Sequence, residues 1–227
     1  MVSEQDHATL ELRSPRDVAR FLDGAYSHQR GIGGRITRLR PLICPFEELL
    51  RRLPREARVL DVGCGVGIMS ALAAGPGAAR DVVGFDISSK AIAIARGVTI
   101  AGACPMTFYV LPAGEFPPGE FDVVLCIDVL HHVPPPVQFE FLTTICRRVA
   151  PGGLLIFKDI SPQPWWKALA NRMHDLVMAR QWVNYRHERD VASFMRGGGE
   201  GQVIEEARLD RLWYSHYLIC WRKAARS

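Results

Sequence analysis

The 227-residue chain is poor in lysine: of its 28 basic residues only four are Lys (Lys90, Lys158, Lys167 and Lys223), so 28 − 4 leaves 24 arginines. Arginine suits planar anionic ligands, yet genome composition accounts for such a bias equally well. Runs of basic residues are missing, and 28 basic against 24 acidic residues give a net charge of only +4, so no nucleic-acid-binding stripe is indicated. No CxxC pair occurs. The six cysteines (Cys44, Cys64, Cys104, Cys126, Cys146 and Cys220) are far apart, which excludes a conventional zinc motif and a disulfide framework and predicts reduced, mostly buried thiols. Long apolar runs are absent too. The longest uncharged stretch, Gly97–Gly114, is broken by Pro105 and Pro112, so stable membrane insertion is not expected. The opening MVSEQDHATLELRSPRD lacks the apolar centre of a secretory leader, and the expected location is cytoplasmic.

What is present is a globular composition, 48% hydrophobic and 23% charged, without internal repeats or low-complexity segments. Ser14-Pro15 before RDVARFLD supplies an N-cap and an N1 proline for a first short helix, and CPFEELLRRL predicts a second. From Arg58 the pattern changes to short apolar runs alternating with helical segments: RVLDV, IMSALAA, DVVGFDI, SKAIAIAR, MTFYVL, FDVVLCI, VQFEFLTTICRRV and LLIFKDI. Such runs, separated by crossover helices, are what a parallel sheet covered on both faces requires. The expected fold is therefore α/β and doubly wound. After Asp159 the rhythm breaks. Residues 164–183 read as one long helix carrying Trp165, Trp166, Met173 and Trp182, RGGGEGQ reads as a flexible connector, and QVIEEARL with SHYLICW predicts a terminal antiparallel hairpin.

The most informative segment is Val59–Gly67, a strand running into a glycine-rich turn and then a helix. Glycines here allow a sharp turn and close approach to a ligand. The dinucleotide fingerprint GxGxxG needs a third glycine at position 68, which is Ile68, whereas this chain has DxGxGxG from Asp61 to Gly67. That spacing disfavours a nicotinamide dehydrogenase. Twenty-one residues beyond Gly65, Asp86 ends the next strand. An acid at that place can accept hydrogen bonds from ribose hydroxyls, or cap the helix that starts near Ser88, and the two roles are compatible.

These segments resemble the class I S-adenosylmethionine-dependent methyltransferases, with four motifs in order between Arg58 and Asp159: VLDVGCGVG, VVGFDIS, FDVVLCIDVLHHV and VAPGGLLIF. The likeness is greatest to the small-molecule branch that includes ubiquinone and menaquinone methyltransferases. It implies a Rossmann-like seven-stranded sheet with an antiparallel terminal hairpin and a helical lid, residues 1–57 giving N-terminal lid helices and 58–227 the methyltransferase domain with a lid helix at 164–183. It also implies S-adenosyl-L-methionine as cofactor. Gly63, Cys64 and Gly65, with Asp61 nearby, would line its methionine end; Asp86 and Ile87 would hold ribose and adenine; Ala113 and Gly114 would border the adenine; Cys126 and Ile127 would pass beside the methionine moiety. Where many relatives have an acid for the adenine amino group this chain has Pro112, so backbone of Ala113 and Gly114, or Glu115, would take its place.

Methyl transfer needs alignment of donor and acceptor more than an elaborate catalytic apparatus. Asp128, His131 and His132 follow the fourth strand, where the resemblance places residues beside the transferred methyl group. A histidine there can take a proton from a hydroxyl at neutral pH, with His132 narrowly ahead of His131; equally, one histidine packs or caps a helix while the other shapes the pocket. No metal site is expected from these three residues. The [N/D]-P-P-[Y/F] sequence of adenine- and glutamine-methylating enzymes is replaced by Cys126-Ile127-Asp128-Val129, and Pro134–Pro136 reads as a rigid loop. The expected acceptor is a small aromatic or lipid-like molecule methylated on oxygen, with carbon or nitrogen as lesser options. The tryptophans of 164–183 either line its lid or seal that helix onto the sheet. Two other readings stay open: an RNA or protein methyltransferase, for which 57 residues before the first strand leave little room, and a cofactor-binding regulatory protein without activity. Oligomeric state is not read from the sequence.

Overall fold

Runs of Val, Leu, Ile and Phe too short for buried helices pair edge to edge, and crossover helices cover the sheet they form. In the computed structural model, which describes residues 12–28, 40–163, 184–212 and 214–226, the elements are α1 (Pro15–Ala25), α2 (Phe46–Leu50), β1 (Arg58–Val62), α3 (Ile68–Ala74), β2 (Asp81–Asp86), α4 (Ser89–Arg96), β3 (Met106–Val110), β4 (Phe121–Ile127), α5 (Gln138–Arg148), β5 (Val149–Ile160), α6 (Glu188–Gly197), β6 (Gly201–Arg211) and β7 (Tyr214–Lys223). The sheet order is β3-β2-β1-β4-β5-β7-β6. β1 to β5 are parallel, and β7 runs antiparallel to both β5 and β6. The expected seven strands and terminal hairpin are therefore present.

The chain moves outward from β1 through β2 to β3 and then returns to lay β4 against the other side of β1. Connections on the two sides of β1 leave in opposite directions, which opens a crevice beyond the carboxyl ends of β1 and β4. Both faces of the central strands β1, β4 and β5 are covered by apolar packing. One face packs Val59, Val123 and Ile156 with Val18 and Leu22 of α1, Leu49 of α2 and Leu72 of α3. The other packs Leu60, Val124 and Phe157 with Leu142 of α5 and Val191 of α6.

Local signals in the sequence account for several boundaries. The Ser14 hydroxyl accepts the Asp17 N–H (3.3 Å) while the Asp17 carboxylate accepts the Ser14 N–H (3.1 Å), a reciprocal capping box in front of the N1 proline of α1. Ser88 caps α4 through the Ala91 N–H. α6, in HERDVASFMRG, escapes the sequence reading, although Val191, Ala192 and Met195 form its buried stripe at helical spacing. The helix expected over residues 164–183, with its tryptophans, lies outside the described residues. All six cysteines are free, four buried and two partly exposed. Among the described residues, no helix is long and apolar enough to cross a membrane.

Candidate active site

β1 is a buried strand that ends at Val62, and the chain then turns through Gly63 (φ +61°) and Gly65 (φ +55°) before α3 begins. A side chain at Gly63 would meet Val129 Cγ2 at 2.8 Å, because the turn after β4 leans directly on this loop. The loop is tied to β2 twice: the Cys64 N–H donates to the Phe85 carbonyl (3.0 Å) and the Gly65 N–H to Asp86 Oδ2 (2.9 Å). Asp86 Oδ1 also accepts the Ser88 N–H (2.8 Å), so this acid orders the approach to α4 and ties the glycine loop to the end of β2. Ile87 beside it is 65% exposed, an apolar side chain left uncovered just past the carboxyl end of β2.

Asp61 is buried under the loop and accepts the Ser70 hydroxyl (2.6 Å). Burial, only partly offset by Ser70 and reinforced by the charge of Asp86, pushes its carboxyl up to about 7. Tyr26, the C-cap residue of α1, reaches the loop and donates its hydroxyl to the Val66 carbonyl (2.8 Å). After β3, Leu111 donates to the Asp86 carbonyl (3.1 Å), and a turn closed by the Glu115 N–H on Pro112 (3.1 Å) presents Ala113 and Gly114, both exposed. The turn thus stands next to Asp86 and Ile87. Cys126, by contrast, is fully buried in β4, with Ile127 partly exposed at its end.

The three residues after β4 part company. Asp128 takes a left-handed backbone (φ +58°), and its carboxylate is gripped by Lys158 Nζ (2.6 Å) and Arg40 (3.3 Å). Burial would raise its pKa, but these two cations overcome that and hold it well below the usual carboxylate range. Such a carboxylate is a poor proton acceptor. His131 is buried and its Nδ1 contacts Asp159 Oδ1, whereas His132 is exposed, its ring 4.2 Å from that of His131. The two histidines and Asp128 therefore do not converge on one point.

Four residues of this region carry no weight in the sequence reading: Arg40, Lys158, Asp159 and His216. Lys158 and Asp159 are fully or nearly buried in β5, and consecutive strand residues face opposite sides of a sheet. On the Lys158 side lie Asp128, Arg40, Cys44 and His216, whose Nε2 meets the Ile43 carbonyl at 2.6 Å. On the Asp159 side lies His131. A signal existed: two adjacent charges inside the apolar run LLIFKDI are rare unless paired.

A doubly wound sheet with a glycine loop after β1, an acid closing β2 and a strand reversal at β1 is the arrangement at whose reversal point folds of this class hold nucleoside-bearing ligands. The chain belongs to the methyltransferase domain family, whose model matches residues 35–199. It is 38% identical over 159 residues to a ubiquinone biosynthesis O-methyltransferase of Thiobacillus denitrificans, covering 67% of this chain and 64% of that protein. Another ubiquinone biosynthesis O-methyltransferase, from Aromatoleum aromaticum, is 38% identical over 107 residues, 46% of this chain and 44% of that protein. The matches thus span just under two thirds and under half of these relatives. Similar solved structures include magnesium protoporphyrin IX methyltransferase from Synechocystis PCC 6803 with bound SAH (20% identity, TM-score 0.65, 92% and 94% of the two chains). A second is 1,6-didemethyltoxoflavin-N1-methyltransferase from Burkholderia thailandensis with bound 1,6-didemethyltoxoflavin and S-adenosylhomocysteine (20% identity, TM-score 0.63, 94% and 92%). At that identity the likeness is one of fold.

Proposed function

We propose that the protein transfers a methyl group from S-adenosylmethionine to a hydroxyl oxygen of a small aromatic or lipid-like acceptor. The observation that carries this reading is the join between Asp86 and the glycine loop: the carboxylate that ends β2 accepts the Gly65 N–H, and exposed Ile87 stands beside it. One ligand spanning loop and strand end would meet the glycine turn, a carboxylate and an apolar platform in that order. S-adenosylmethionine presents an amino acid end, a ribose and an adenine in the same order.

In this reading Gly63, Cys64, Gly65 and buried Asp61 hold the methionine end. The Asp61 carboxyl, poised at about 7, would ionise near a cationic amino group. Asp86 holds the ribose, and Ile87, Ala113 and Gly114 border the adenine. Cys126 and Ile127 contribute backbone at the end of β4. When bound, the cofactor supplies an electrophilic methyl carbon on a sulfonium centre. The chain's own residues then align the acceptor and receive its proton, a task we give to the histidine turn that packs on the glycine loop through Val129. Asp128, paired with Lys158 and Arg40, anchors the end of β4 and transfers no proton. The N-terminal helices cover the site from the side where Tyr26 meets Val66. The O-methyltransferase relatives support oxygen as the methylated atom.

Incubating the protein with isotope-labelled S-adenosylmethionine and small-molecule extracts, followed by mass spectrometry, tests the reading. It predicts a labelled methyl ether on a small acceptor. Label appearing only in RNA or protein would replace it.

A further inference from the structure

The two strands that bound the sheet differ. β3, at one edge, spans five residues, and its Phe108 carbonyl accepts a hydrogen bond from the Arg96 guanidinium (2.6 Å). β6, at the other edge, runs for eleven residues in which half-buried and exposed positions alternate from Gly201 to Arg211. A strand so placed is paired on one side, here with β7, and turns a row of backbone N–H and C=O groups outward, a template for a further strand. Its regular part begins after a bulge: Val203 faces Trp221 and Glu205 faces Cys220, which leaves Ile204 as the extra residue. From there Glu205 and Arg211 bind Arg52 and Glu47 on the α2 side. Glu206 and Arg208 bind Arg196 and Glu188 of α6. Two charges of opposite sign thus stand two residues apart on one face of the edge strand, their side chains 41% and 57% exposed.

We infer that β6 pairs antiparallel with β6 of a second copy of this chain, about a two-fold axis through Ala207, so that the two sheets become one. An axis perpendicular to the sheet keeps each face on its own side, and residues meet across the join only with residues of the same face. Charge then chooses the centre. About Glu206 or Arg208, identical charges would face each other, which is destabilising. About Ala207, Glu206 of each copy faces Arg208 of the other. The ion pairs made within each copy extend into a row of alternating sign: Arg196 and Glu206 of one copy, then Arg208 and Glu188 of the second. A centre at Leu209 would set Arg208 against Asp210 instead. Ala207 is favoured because Arg196 already holds Glu206 in place, so less side-chain freedom is lost on pairing. Charges on an edge strand ordinarily turn other strands away; this order of charges does so for strands that do not match it and accepts its own copy. Such a self-complementary contact closes as a dimer. The inference stands on the sheet edge and its charges and is independent of the methyl-transfer reading.

Sedimentation equilibrium of the full chain, without cofactor or acceptor, tests it. A single strand pair flanked by exposed ion pairs is a small interface, so the parent should show a monomer–dimer equilibrium with a dissociation constant of about 10–100 μM. Raising NaCl from about 0.05 to about 0.5 M should weaken it about threefold or more. Glu206→Arg and Arg208→Glu each set like charges against each other at both symmetry-related positions and should each weaken self-association about tenfold or more. An equimolar mixture of these two variants restores opposite charges at both positions and should associate within about threefold of the parent, a recovery that damage to the fold would not give. Asp210→Lys should stay within about twofold of the parent, because Asp210 then faces Ile204. Should a reversal fail to fold, the milder Glu206→Gln and Arg208→Gln, each expected to weaken the dimer about threefold, decide together with the salt response of the parent. A parent that stays monomeric to about 300 μM, a dimer indifferent to salt and to both substitutions, or a mixture no tighter than its components would overturn the inference. Weakening by Asp210→Lys without weakening by Glu206→Arg would overturn the centre at Ala207.

Discussion

Replacing Lys158 by Met probes the end of β4 most sharply. Lys158 is fully buried, its ammonium 2.6 Å from an Asp128 carboxylate that is only 8% exposed, and the Asp128 N–H donates to the Lys158 carbonyl (2.9 Å). Methionine fills much the same volume but strips the carboxylate of its nearer cation. Breaking a buried pair from one side costs about 3–5 kcal/mol. Arg40, 3.3 Å away and 36% exposed, remains as a second partner, which places the expected loss near the low end, about 3 kcal/mol. For a chain of this size each kcal/mol shifts the melting temperature by about 2–4 °C, so a drop of about 6–12 °C is expected. Adding Asp128→Asn should restore most of it, since removing both charges together is often close to neutral. Asparagine also tolerates the left-handed backbone at this position (φ +58°). The pH dependence has a definite sign. The Asp128 carboxyl lies below its unfolded value of about 3.9, so its contribution is complete above about pH 4 and is lost as the pH falls toward the folded value; Lys158→Met should flatten that acid limb. Calorimetry and urea unfolding would measure these quantities. A Lys158→Met variant melting within about 2 °C of the parent, or a double variant whose losses simply add, would refute the argument.

Two buried groups should oppose each other with pH in the cofactor-free protein. His216, neutral in the fold and pushed down to about 3 by burial and Lys158, takes a proton only on unfolding below about pH 6.5, so acidification costs stability. Asp61, pushed up to about 7, holds a proton that the unfolded chain has lost above about pH 4, so acidification adds stability. Between about pH 4.5 and 6.5 the slopes cancel in the parent, whereas urea unfolding should show stability falling on acidification in Asp61→Asn and rising in His216→Phe, each by up to about 1.4 kcal/mol per pH unit; parallel profiles would contradict both assignments. Gly63→Ala should cost about 2–3 kcal/mol, through the left-handed backbone and the contact with Val129, and an unchanged melting curve would count against that packing. Tyr26→Phe, which removes the bond to Val66, should cost about 1 kcal/mol in unfolding experiments; no loss would detach α1 from the loop.

The glycine loop, Asp86 at a strand end and the strands themselves were legible because each depends on local sequence: a glycine where the backbone is left-handed, an acid where a strand ends, an apolar run where a strand is buried. The distinction between His131 and His132 was not. It depends on Asp159, 28 residues away and joined to His131 only because β5 lies beside β4. The same holds for Asp128, whose charge reads as a candidate base until Lys158, 30 residues on, and Arg40, 88 residues before, are seen to neutralise it. α6 was missed because its three buried residues are outnumbered by charged and polar neighbours. Pairing across a sheet creates these environments, and no short window of sequence contains them.

Calorimetric titration of S-adenosylmethionine into the wild type and Asp86→Asn tests the cofactor site most directly. The wild type should bind one equivalent. Asp86→Asn, with its fold intact, should bind about 30-fold or more weakly, because two charge-assisted hydrogen bonds at about 1.5–3 kcal/mol each, less compensation by water, leave about 2–4 kcal/mol. Equal affinity in the two proteins, or no binding by the wild type, would contradict the account.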